Sequence, residues 1–236
     1  MYSRELAQAL IPLFEKKVNE NICEWAEKNL SLKNTIEGKD GLKYPNFTDS
    51  PDFKQIAEDV QNPDVREIIL MTSAQRGKTF FMIIVALWML KEKGWVIMFV
   101  LNDIGKKQKV RERVKKILQA NKELLGWDDS RGATKGDTFT FLNGAQMHWG
   151  ILSSPATIAE TPADAVLVDE YDEFVEAHKS ASVSPLRQAE KRMQSKRHGK
   201  LIVGSTPKVI KGRGGILDLY DGAQKHIDEM QCPLRS

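Results

Sequence analysis

Residues 66–90, REIILMTSAQRGKTFFMIIVALWML, constrain the fold of this chain more than any other stretch. An apolar run suited to a buried strand ends in a short polar loop. Gly77-Lys78-Thr79 follows, and then about three helical turns of almost unbroken hydrophobicity. A strand and a buried helix joined by such a loop match the frame G-x-x-x-x-G-K-[ST], here Thr72-Ser73-Ala74-Gln75-Arg76-Gly77-Lys78-Thr79. In that frame Gly77 lets successive backbone N–H groups turn toward phosphate oxygens. Lys78 neutralises them, the Thr79 hydroxyl ligates Mg²⁺, and the helix N-terminus adds its positive end. Only the opening glycine is missing. Thr72 can replace it if the backbone there needs no positive φ.

The pattern downstream repeats the theme. Apolar strands are expected at about 66–72, 95–101 (WVIMFVL), 165–168 (AVLV) and 200–205 (KLIVGS), with helices at 78–92, 104–124 and near 184–197 and a closing helix in GILDLYDGAQ. DTFTFLNGAQMHWGIL reads as a hairpin whose Asn143-Gly144 would supply the positive φ angles of a tight turn. Strands that are apolar throughout, separated by helices, imply a parallel sheet covered on both faces. The expected fold is therefore α/β: a P-loop NTPase of the ASCE type with a mostly parallel central sheet flanked by helices. Leu6, Leu10, Leu13, Phe14, Val18, Ile22 and Trp25 recur at helical spacing, so residues 1–43 read as a helical extension that ends in the loop-forming LKNTIEGKDGLKYPNFTDSP. Residues 44–236 form the P-loop domain of this division.

An NTPase needs a carboxylate beside the metal and another to polarise the attacking water. ADAVLVDEYDEF offers both at the end of a buried strand, where a parallel sheet presents its ligands. Asp169 is the expected Mg²⁺ residue and Glu170 the catalytic carboxylate, while Asp172 and Glu173 read as acids capping the strand in solvent. LIVGSTPK places Ser205 and Thr206 at the same sheet edge, positioned to sense the terminal phosphate, although a simple turn would also use these residue types. Composition excludes other classes. The run Phe80–Leu90 is too short to span a bilayer, and residues 1–22 lack a secretory pattern. Cys23 and Cys232 sit near opposite ends with no metal or disulfide spacing. A net charge of +3 does not announce a nucleic-acid partner, but KKQKVRERVKK (106–116) and RQAEKRMQSKRHGK (187–200) are locally basic.

Taken in order, TSAQRGKT, SSPATIAETPADAVLVDEYDEF and VGSTPK resemble the ATPase domain of phage terminase large subunits, particularly the lambda-like branch, from about Tyr44 to Tyr220. Members of that family commonly begin the phosphate loop with a residue other than glycine, so the resemblance makes Thr72 a family trait. It implies a DNA-packaging motor driven by ATP and Mg²⁺. Its cofactor-binding residues would be Thr72 to Thr79 with Ser205 and Thr206 as coupling motif, its metal residues Thr79 and Asp169, and its catalytic residues Lys78, Glu170 and Arg76. The implied partners are double-stranded DNA, a small terminase subunit, a portal or procapsid and further copies in a ring, all in the host cytoplasm and none of them a membrane. The family's nuclease domain would begin where this chain ends at Ser236, so either an excised ATPase domain, the favoured reading, or one part of a split motor is expected, without nuclease activity. Arg76, beside Gly77, would act on phosphate in cis or face solvent or DNA, and Arg187, Arg192, Arg197 and Arg213 are candidates for a neighbour's nucleotide. The adenine is expected near Phe47–Gln55. Two other readings share parts of this pattern: a helicase-like superfamily 2 translocase, which needs a second motor domain, and a non-hydrolysing nucleotide-binding module, which needs no Glu170.

Overall fold

Alternation along the strands divides the interior into two cores. A computed structural model describes residues 20–35, 43–127, 129, 132–154, 158, 162–177, 185–193, 196 and 198–231. The expected helices before Glu20, Arg197 and Cys232 lie outside them. Seven strands among the described residues form one sheet: β1 (Glu67–Met71), β2 (Val96–Leu101), β3 (Thr134–Lys135), β4 (Thr138–Thr140), β5 (Gln146–Ile151), β6 (Ala165–Asp169) and β7 (Lys200–Ser205). Their order is β1-β7-β6-β2-β5-β4-β3, parallel as far as β5 and antiparallel beyond it. Ile97, Phe99 and Leu101 of β2, Ala165 and Leu167 of β6 and Ile202 of β7 enter one core. Their neighbours Met98, Val100, Val166, Val168, Leu201 and Val203 enter the other. Strand residues alternate faces, so a strand buried on both sides must be apolar at every position.

The helices fill both layers. On the first face lie α1 (Ile22–Asn29), α2 (Pro51–Gln61), α3 (Lys78–Trp88), α4 (Ile104–Ala120) and the short α5 (Lys122–Leu125). The second face carries α6 (Tyr171–Ala177), α7 (Pro185–Met193) and α8 (Ile216–Gln231). Every residue of α3 from Phe81 to Trp88 is at most 1% exposed. Its last turn widens to a π-turn over Met89–Lys93, ended by Gly94 at φ 66°. From α1, Ile22, Cys23, Trp25 and Ala26 join the same core as α3, and burial pushes the Cys23 thiol up to about 12. That makes Cys23 an inert structural thiol.

One expectation changes here. In the hairpin only Gly144 takes a positive φ (84°). Asn143 instead accepts from the Ala145 N–H at 3.0 Å and donates to the Leu90 carbonyl at 2.7 Å, tying the turn to the end of α3. The three residues between the ladder partners Phe141 and Ala145 make a longer turn than the two-residue loop expected, so a single left-handed residue suffices. The segment expected near the adenine contributes two rings to the core. Phe47 and Phe53 are buried and pack on Phe81, with Phe53 stacked at 4.6 Å between centroids. These rings are core, and Pro51 opens a helix where fixed φ suits the first turn.

At the opposite sheet edge from the phosphate loop, Lys200 is 2% exposed and donates to the carbonyls of Asn62 and Val65 after α2. Burial pushes its ammonium down to about 8.

Phe53→Ala is expected to lose about 3–5 kcal/mol of stability in urea unfolding, because the stacked ring leaves a cavity. The Lys200 amine releases its proton more readily folded than unfolded, so between pH 8 and 10.5 the unfolded chain holds the extra proton. The stability of the wild type relative to Lys200→Met is therefore expected to rise with pH across that window, as read from paired melts.

Candidate functional site

Register brings three strand ends to one edge. Met71 pairs with Ser205, and Asp169 with Gly204, so the residues after β1, β6 and β7 emerge side by side. Thr72 keeps a negative φ, and its N–H donates to the Ser205 carbonyl at 3.3 Å. It prolongs the strand pairing, which explains why no glycine is required there. The left-handed residues of the loop are Gln75 (φ 61°) and Gly77 (φ 86°), the latter standing at the N-cap of α3.

Lys78 and Thr79 in the first turn of α3 meet the acidic end of β6. The Lys78 ammonium lies 2.8 Å from Glu170 Oε1 and 3.4 Å from Asp169 Oδ1 and is 6% exposed. The Thr79 hydroxyl donates to Asp169 Oδ2 at 2.5 Å. Burial pushes the Asp169 carboxyl above its usual range, against the pull of the Lys78 charge and the Thr79 hydroxyl. Glu170 has φ 57°, a left-handed conformation that costs a side-chain-bearing residue about 1–3 kcal/mol. That turn carries its carboxylate away from the strand line and toward Lys78. Among the described residues, Glu170 Oε2 is buried without a hydrogen-bond partner, and so is the Thr72 hydroxyl.

Between these groups lies a cavity of about 350 Å³. Ser73 through Thr79 line one wall, with Glu170, Glu173, Thr206 and Lys208 opposite. Thr206 faces the cavity, but Ser205 is fully buried behind it. The Ser205 Oγ accepts from the Asp172 N–H at 3.0 Å and donates to the Thr206 carbonyl at 3.2 Å. Arg76 lines the loop wall while its guanidinium contacts Asp52 of α2 at 3.2 Å. Of the arginines named as candidates for a neighbour's site, Arg187 and Arg213 are exposed and Arg192 is half-buried.

Asp172 and Glu173 are not solvent caps. Asp172 is fully buried and accepts backbone N–H groups from Lys208 (2.8 Å), Val209 (2.9 Å) and Ile216 (2.6 Å). It fastens the loop after β7 to the helix after β6, a role that needs an acceptor with several lone pairs. A Cβ on Gly215 would stand 2.7 Å from Val209 Cβ and 2.9 Å from Asp172 Oδ1, so that glycine serves the same knot. Glu173 pairs with Lys106 and, at 2.7 Å, with Lys208. Sequence reasoning also passed over Gly204, whose Cβ would meet Lys78 Cδ at 3.0 Å and Met82 Sδ at 2.8 Å. The Lys78 stem crosses β7 there on its way to Asp169, and a glycine inside an otherwise apolar strand, just before Ser205, was the available signal.

The basic helix spends most of its charge internally. Lys107 pairs with Asp137, Lys115 with Asp129 and Lys106 with Glu173, while Arg111 and Arg113 lie over the rings of Phe139 and Phe80. Lys109 and Lys116 remain exposed. Among the described residues no cluster of three or more His, Cys, Asp or Glu could hold a metal, and no helix is long and apolar enough to cross a membrane.

A family model described as phage terminase large subunit gpA, ATPase domain, matches residues 45–234. No curated protein matches. The crystal structure of the HK97 bacteriophage large terminase is similar in fold, with a TM-score of 0.67 and 15% identity over 89% of this chain. The match covers 42% of the HK97 chain, so this chain corresponds to less than half of that protein's length. The Thermus phage P74-26 large terminase ATPase domain matches 63% of this chain and 62% of its own, at 15% identity and a TM-score of 0.45.

Asp172→Ala would leave the N–H groups of Lys208, Val209 and Ile216 without their acceptor, the two buried ones costing about 1–3 kcal/mol each. The expected outcome is a loss of several kcal/mol in urea unfolding, with the loop 206–216 becoming the first site of proteolysis.

Proposed function

The chain belongs to the family of phage terminase large subunit gpA ATPase domains, and on that premise we propose that its cavity binds and hydrolyses ATP to drive double-stranded DNA into a procapsid. The observation that carries this reading is the constellation of Lys78, Thr79, Asp169 and Glu170, in which a nearly buried ammonium faces two carboxylates beside a left-handed loop. A binding-only site has no use for a carboxylate held in a costly backbone conformation at the mouth of the cavity.

The residues fit Mg²⁺-ATP. Buried polar atoms without partners, Glu170 Oε2 and the Thr72 hydroxyl, stand beside a glycine-flanked loop, and the cavity wall carries Arg76, Lys78 and Lys208 against Glu170 and Glu173. Thr79 and Asp169 would hold Mg²⁺, which characteristically takes one or two protein oxygens and completes its shell with phosphates and water. When bound, it supplies charge neutralisation for the phosphates. The loop from Ser73 to Gly77 offers backbone N–H groups to phosphate, as the N-terminus of α3 does. Lys78 exchanges its carboxylate partners for phosphate oxygens, Arg76 turns to the phosphates from Asp52, and Glu170, once released, accepts a proton from the attacking water. Ser205 and Thr206 report loss of the terminal phosphate through Asp172.

As a motor that moves any sequence, the protein would hold the DNA backbone rather than base edges. Exposed Lys109 and Lys116 on α4 and Arg187 and Lys191 on α7 are the proposed phosphate contacts. Copies of the chain would assemble as a ring on the portal, with a small terminase subunit delivering the DNA, in the host cytoplasm.

Lys78→Ala is expected to lower ATP turnover roughly a hundredfold or more, since one preorganised electrostatic contact is worth about 3 kcal/mol in the transition state. Glu170→Gln is expected to keep nucleotide affinity and lose single-turnover hydrolysis; equal loss of both would make Glu170 a metal or structural residue. Charge reversal at Lys109 and Lys116, or at Arg187 and Lys191, is expected to reduce the salt slope of duplex binding by about 0.9 for each phosphate contact removed. An unchanged slope for both pairs places the DNA path elsewhere.

A further inference from the structure

Glu173 is an acid with two ammonium partners. Lys106, from the first turn of α4, and Lys208, from the loop after β7, both reach its carboxylate. One negative charge cannot neutralise two positive ones, so this cluster presents surplus positive charge to the cavity that Glu173 and Lys208 line. The neighbouring cluster has the opposite imbalance, with a single Lys78 facing Asp169 and Glu170.

The two clusters lie one helical turn apart, since the Glu173 N–H donates to the Glu170 carbonyl at 3.2 Å. Lys208 therefore stands on the Glu170 side of the cavity, where water attacks the terminal phosphate in the reading above. Its backbone is held in the interior while its side chain is held only by an ion pair open to solvent. The Lys208 N–H is fixed to buried Asp172 at 2.8 Å and the Val209 N–H to the same oxygen at 2.9 Å, but the side chain of Lys208 is 41% exposed. The ammonium can pivot on an immobile anchor. An ion pair open to solvent is weakly held, and Glu173 keeps Lys106 when Lys208 leaves.

We infer that Lys208 is a specificity residue that distinguishes nucleoside triphosphate from diphosphate, its ammonium exchanging Glu173 for the terminal phosphate. This rests on the cavity being an ATP site. Nothing in the exchange is covalent: one ion pair opens and a charge-assisted contact to phosphate oxygen forms.

Calorimetric titration of the chain with ATPγS and with ADP, each with Mg²⁺, tests the inference. Lys208→Met, which keeps the apolar stem, and Lys208→Ala are expected to weaken ATPγS binding at least tenfold and leave ADP binding within twofold. Glu173→Gln, which removes the competing partner, is expected to bind ATPγS as tightly as the wild type or more tightly. Equal changes for the two nucleotides in the Lys208 variants, or no change, would overturn the role. So would a Glu173→Gln protein weakened for ATPγS as the Lys208 variants are, because a structural ion pair fails alike from either side. The two readings fail differently. A wild type that binds neither nucleotide, or a Lys78→Ala protein that binds both normally, removes the ATP site itself; tight wild-type binding with a uniform Lys208 response removes only this inference.

Discussion

A nearly buried ammonium reaching across a strand is the constraint on which the rest of the site depends. The loop strand β1 and the acidic strand β6 are not neighbours, because β7 lies between them. Lys78 must therefore cross β7 to meet Asp169 and Glu170, and it does so over Gly204, where a side chain would collide with its stem. Burying one ammonium is tolerable only because two carboxylates await it at 2.8 and 3.4 Å. Parallel register does the remainder, since Met71 opposite Ser205 and Asp169 opposite Gly204 leave the three strand ends level.

The acidic end of β6 is a sequence of four different jobs within five residues. Asp169 holds Thr79, and Glu170 turns left-handed toward Lys78. Asp172 goes inward to fasten the loop after β7, and Glu173 returns to the cavity one turn after Glu170. The strand stops at Asp169 and α6 begins at Tyr171, so the side chains leave on divergent headings. A shift of one residue in that junction would exchange a buried anchor for a cavity wall. The same junction ties the coupling segment to the catalytic one, because Ser205 holds the Asp172 N–H while Asp172 holds Lys208 and Val209.

Charge in this molecule is settled locally before it is available for partners. KKQKVRERVKK looks like a binding surface when read as a string, yet in α4 its lysines and arginines find Glu173, Asp137, Asp129 and two aromatic rings. The helix has 3.6 residues per turn, so consecutive basic residues face different neighbours and only Lys109 and Lys116, seven apart, remain on one exposed side. A local basic count overstates the field that reaches solvent.

Sequence alone determined the α/β class, the strands that carry the site and the order of its parts, because each is written in local chemistry. Unbroken apolar runs mark doubly covered strands, and a glycine-lysine-threonine step between strand and helix marks a phosphate loop. It also left room for Thr72, which the structure shows needs no positive φ. Only the tertiary structure decided the insertion of β7 between β1 and β6, and with it the need for Gly204. It moved Asp172 from solvent to the interior, placed Phe47 and Phe53 in the core against Phe81, and brought Lys208 beside Glu173. The reason is common to all of these: the partners lie 28 to 134 positions apart along the chain. Periodicity reports which face of an element is apolar, and not which residue of a distant element will meet it.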